Sequence, residues 1–153
     1  MNFNFSNLKG DLFGGVTAGI VALPLAVAFG VTAFADLHEF GVENASVIGA
    51  QAGLVGAFLI GVIAALLGGT ETQISGPTAP MTVVSAGIVV TSFKAVAAAN
   101  AGMDPEIILS LAMPLVLITF FLAGLFQTIF GVARLGQYIK YIPYPVISGF
   151  MSG

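Results

Sequence analysis

Gln73-Ile74-Ser75-Gly76-Pro77-Thr78-Ala79-Pro80 places glycine, two prolines and two hydroxyl residues between two long stretches that carry no charge. Proline is tolerated in the first turn of a helix, where backbone N–H groups have no intrahelical partner. The spacing therefore predicts a helix that starts at Pro77. Its first N–H groups, those of Thr78 and Ala79, are then free to meet an anion together with the positive end of the helix dipole. What this start can do depends on whether it lies in water or in lipid.

Composition answers that question. Of 153 residues, 7% are charged and 58% are apolar, against about 25% charged in a soluble domain. Uncharged windows cover 12–35, 44–70, 72–93 and 107–133. Each is long enough for the roughly 20 apolar residues that cross a bilayer core. A soluble chain would alternate apolar and polar faces, and these windows do not. The fold class expected is an all-α polytopic membrane protein. Its spans fall over about 12–35, 44–70, 77–93 and 107–133, with an interfacial helix over about 134–142 and a fifth span opening at 143–153.

Other function classes are disfavoured. No cysteine is available for a disulfide or a thiolate metal site. The one histidine, His38, sits among Asp36, Glu39 and Glu43 and reads as a solvated loop residue. A net charge of −3 offers no basic surface to nucleic acid. The ionisable residues cluster in loops, without a nucleophile–base pair or metal cluster, so no enzyme and no cofactor is expected. Ala33-Phe34-Ala35 mimics a signal-peptidase site, but the apolar run before it exceeds the about 7–15 residues of a signal peptide. It reads as a retained first span.

Basic residues set the expected orientation. Lys9 precedes the first span and Arg134 and Lys140 follow the fourth, while Lys94 lies on the other side, which favours a cytoplasmic N-terminus in the plasma (inner) membrane. Pro24, near the centre of the first span, predicts a kink or break. Gly49, Gly53, Ala57, Gly61, Ala65 and Gly69 form a row spaced by four, a close-packing signal that predicts a second span buried among helices. Over 72–76 an extended strand-like rise of about 3.3 Å per residue would bring the third helix start to mid-membrane. The competing reading is an ordinary surface start capped by Ser75. Clustered hydroxyls, glycine and two prolines favour the broken form. Asp104-Pro105-Glu106 is a helix-start signature for the fourth span. The chain ends inside the apolar segment that follows Pro145, as a fragment or truncation would.

These residues resemble a known family. Gly10-Asp11-Leu12-Phe13-Gly14-Gly15 with Ala22-Leu23-Pro24, Gly53-Leu54-Val55-Gly56 running to Gly68-Gly69-Thr70, the 73–80 segment, and Ile142-Pro143-Tyr144-Pro145-Val146-Ile147-Ser148-Gly149-Phe150 resemble the SulP family of inorganic anion transporters, most closely its bacterial bicarbonate branch. The resemblance runs in order along nearly the whole chain. It implies a seven-plus-seven inverted repeat, of which this chain holds helices one to four and the start of five, with helix three a half-helix behind an extended segment.

The resemblance further implies secondary active transport of bicarbonate or sulfate, bound at the start of half-helix three. Thr78 and Ala79, with Gly76 and Pro77 before them, would provide that start, and Phe29 an aromatic wall. A coupling ion, sodium or proton, would bind outside this chain, and the full-length protein would be a homodimer in lipid. Many members carry a glutamine just after the first-helix proline, where this chain has Leu25, so their selectivity does not transfer. The loop around His38 also looks longer than in bicarbonate-type members. A passive anion channel and a non-transporting structural fragment are the alternative readings.

Overall fold

The computed structural model describes residues 7–67 and 75–152, and among them all regular structure is helical. Helix α1 covers Leu8–Phe34 and passes into a 3₁₀ helix, Ala35–Phe40. Then come α2 (Ala45–Leu67), α3 (Ala79–Ala99), α4 (Pro105–Val132), a second 3₁₀ helix (Leu135–Tyr141) and α5 (Tyr144–Ser152). The four long helices overlie the four uncharged windows, and each is long and apolar enough to cross a membrane. Gly69 and the expected extended stretch over 72–74 lie outside the described residues.

Several sequence expectations are corrected. Of the kink or break expected at Pro24, the break is absent, since α1 runs through it as one helix: one lost hydrogen bond is tolerated in a helix whose neighbouring turns remain paired. Helix α3 starts at Ala79, not Pro77, with Thr78 rather than Ser75 as the N-terminal cap and Pro80 in the first turn. It also continues past Phe93 to Ala99. Lys94 does not end it, because its ammonium lies over the Phe40 ring at 5.2 Å from the centroid, where a cation is stabilised on the helix itself. Within the expected 134–142 helix, Leu135–Tyr141 is wound as a tighter 3₁₀ helix.

Helix α1 lies between α2 and α3, and α4 packs against α3. The α1–α2 crossing is a backbone-to-backbone approach. A Cβ added to Gly30 would collide with the Gly49 carbonyl oxygen, and one added to Gly53 would collide with that of Ala26. Small residues are therefore obligatory here, which is how helices associate where no hydrophobic force separates them from lipid. The row continues differently. Gly61 has open space beside it, and the large side chains of α2 are exposed within this chain from Val47 to Leu67, except Ile48, which packs against the core. Within this chain, α2 is contacted along one edge near its start.

The core sits at one end of the bundle. Phe34, Leu37, Val42, Ala45, Val89, Phe93, Ile108, Leu109 and Val116 form one buried cluster. Leu37 and Val42 are fully buried although Asp36, His38, Glu39 and Glu43 around them are exposed. The apparently polar connection is therefore a plug with charged shoulders. Gly41 makes this possible: at φ 86° it ends the 3₁₀ helix, its N–H donating to the His38 and Leu37 carbonyls. Asp104 caps α4 by accepting from the Glu106 N–H at 2.9 Å, and Asn44 Nδ2 donates to Glu106 Oε1 at 2.8 Å.

Candidate anion-binding site

Two cavities meet at the start of α3. The first, about 720 Å³, lies between the N-terminal half of α1 and the segment entering α3. Phe13, Thr17, Val21 and Leu25 line one wall, and Gly76, Pro77 and Thr78 the other. The second, about 420 Å³, is a groove between α2 and α4 floored by α1 and α3, and it includes Phe29, Gly53, Pro77, Thr82, Ser85 and Phe120. Among the described residues, neither lining contains a charged one. Any affinity that these residues have for an anion must then come from dipoles and hydrogen-bond donors.

The donors are few and easily counted. Thr78 is extended, at φ −127° and ψ 149°, and its side chain makes no capping hydrogen bond. The reason is partly Pro80, which occupies the second helical position and has no N–H to offer. The N–H groups of Ala79 and Met81 remain among those that a helix start leaves without an intrahelical partner. The first intrahelical bond is Thr82 N–H to the Thr78 carbonyl, at 3.0 Å. By contrast, Thr17 donates its hydroxyl to the Phe13 carbonyl at 2.8 Å, and Ser85 to that of Met81 at 2.8 Å. These hydroxyls are already used, so the first cavity keeps its donors at the α3 start and the second is apolar in effect.

The residues singled out in the sequence are distributed as follows. Gly76, Pro77 and Thr78 share the first cavity with Leu25, the position that lacks a polar group. Phe29, half-buried, belongs to the second, and Pro77 is common to both. Ala79 is exposed at the first helical position and lines neither. Sequence reasoning missed Thr82, which is 7% exposed and the one buried polar side chain among the described residues. Its spacing of four from Thr78 was the available signal. Phe13 and Thr17 were missed too, because nothing local marks which face of α1 looks toward α3.

Four long apolar helices, with a helix start beside an uncharged cavity between them, define a polytopic membrane protein. The chain belongs to the sulfate permease family, whose sequence profile matches residues 8–153. It is 49% identical to the bicarbonate transporter BicA of Picosynechococcus sp., over 98% of this chain and 22% of the relative. Identity to BicA of Synechocystis sp. is also 49%, with the same coverage. Sulfate transporter 2.1 of Arabidopsis thaliana is 27% identical over 99% of this chain and 19% of the relative. The chain thus spans about a fifth of the length of these relatives. No solved structure matches it.

Proposed function

We propose that this chain forms the first part of a secondary active transporter for a small inorganic oxyanion, bicarbonate or sulfate, and that it supplies one side of the anion site. The observation carrying this is the start of α3: Gly76, Pro77 and Thr78 line the 720 Å³ cavity, Thr78 makes no side-chain capping bond, and the N–H groups next to it begin a helix without intrahelical partners. A helix start offers an anion partial positive charge without the cost of burying a cation. Thr78 donates its hydroxyl and N–H, Ala79 its N–H, Gly76 and Pro77 shape the approach, and Phe29 borders the site from α1. Names of relatives support both substrates, since 49%-identical proteins are bicarbonate transporters and a 27%-identical one is a sulfate transporter.

The half-helix reading belongs to the same proposal. Helix α3 has 21 residues, about 30 Å at 1.5 Å per residue, so length alone does not favour it. Two neighbours support a start at depth. Phe120 shares a cavity with Pro77, and α4 continues beyond it to Val132, on the order of 18 Å further. Helix α1 likewise extends to Leu8, before every residue that faces Thr78. The rest of the inverted repeat, the coupling ion, a homodimer and a cytoplasmic N-terminus in the plasma membrane complete the proposal.

The test is anion uptake by the full-length protein carrying Thr78→Val. Loss of one charge-assisted hydrogen bond predicts a KM raised about 10-fold or more. Unchanged KM and rate would remove Thr78 from the site. Accumulation of anion against its gradient separates an active transporter from a channel, which cannot accumulate solute.

A further inference from the structure

Thr82 stands apart from every other hydroxyl residue in the long helices. Thr17, Thr32, Ser85, Thr119 and Thr128 also donate to a carbonyl one turn back, and that is an ordinary way to satisfy a hydroxyl in lipid. Among the described residues, Thr82 alone places its hydroxyl on the carbonyl of a helix cap, Thr78 O, at 2.9 Å. That oxygen also accepts the Thr82 backbone N–H, at 3.0 Å. It therefore takes two hydrogen bonds, from a side chain that is 7% exposed and closed to competing water.

The consequence is covalent connectivity rather than contact. Thr78 C=O and Ala79 N–H belong to the same peptide unit. Donation to an amide oxygen draws electron density toward it and makes the N–H at the other end a stronger donor. The paired bonds also hold the plane of that peptide, and so the direction in which the Ala79 N–H points.

We propose that Thr82 is a positioning residue for anion binding. Its buried hydroxyl, through the Thr78 carbonyl, orients and polarises the Ala79 N–H at the start of α3. The proposal rests on the reading of that helix start as the anion site. Thr82 itself does not touch the anion. Its location in the apolar second cavity, with its hydroxyl turned back along the helix, keeps it on the far side of the peptide it acts through.

Four variants of the full-length protein test this by concentration-dependent uptake of labelled bicarbonate and sulfate. Thr82→Val keeps the shape and removes the hydroxyl. It is expected to raise KM about 2- to 5-fold, the effect of weakening one charged hydrogen bond by a fraction of its strength, with the maximal rate unchanged. Thr82→Ser restores the hydroxyl and is expected to return KM to the parent value. Thr119→Ala removes a back-bonded hydroxyl of α4 that lines neither cavity, and is expected to leave KM alone. Parent-like KM in Thr82→Val, failure of Thr82→Ser to rescue, or an equal rise in Thr119→Ala would each overturn the proposal. Thr78→Val tells the two ideas apart. If it raises KM while Thr82→Val does not, the site stands and Thr82 has no part in it. If neither moves KM, the site reading itself fails.

Discussion

The two ends of the bundle are built on opposite plans. At the end where α1 turns into α2, every device closes the structure: a left-handed Gly41, a capping Asp104, an Asn44–Glu106 hydrogen bond, and Leu37 and Val42 buried completely. Around the start of α3, the same chain leaves Phe13 73% exposed, Thr78 uncapped by its own side chain, and two cavities meeting at Pro77. The difference teaches where stability and binding reside. Closed turns and interdigitated side chains hold the helices in place, which lets the other end keep unpaired backbone donors that would be costly in a packed core.

By this division, substitutions at the closed end and at the α1–α2 crossing are expected to disturb folding, and those at the α3 start to disturb transport. The largest effect is expected at the crossing. Gly30→Leu puts a branched side chain where two backbones touch and should abolish the monodisperse peak in detergent chromatography, whereas Gly61→Leu, with open space beside it, should retain it. Equal behaviour of the two would break the assignment of Gly30 to a packed crossing.

Next is Leu37→Ala, expected to cost about 2–5 kcal/mol as a large-to-small change in a closed core, read as a lower thermal midpoint with KM unchanged. A smaller loss, roughly 0.5–2 kcal/mol, is expected for Asp104→Ala, which removes the α4 cap. It too should leave KM intact in uptake assays. Thr78→Val and Thr82→Val sharpen the comparison from the other side, with their effect on KM and little on the thermal midpoint.

Much of this was legible in the residues. Charge-free windows identify the four long helices because hydropathy is a sum over neighbours in sequence. Asp104-Pro105-Glu106 was legible as a cap, and Gly49 and Gly53 as a crossing. The limits are as specific. Lys94 looked like a helix end because charge normally leaves the membrane, and only the Phe40 ring from another element makes it comfortable on α3. The 36–43 connection looked polar because its three carboxylates and His38 outnumber Leu37, Phe40 and Val42, yet the latter turn inward. The four-residue row on α2 showed where a helix could approach, but not that α1 uses only its first part.

By itself, then, the chain determined its solvent, its helices and the presence of a proline-marked helix start with free N–H groups. These follow from local sums and local sterics. The tertiary structure decided that α1 lies between α2 and α3, that the face of α1 from Phe13 to Leu25 looks at Gly76–Thr78, and that Thr82 is sealed from solvent. Those depend on how closely two backbones can approach, a property of pairs of segments that no single stretch of sequence contains.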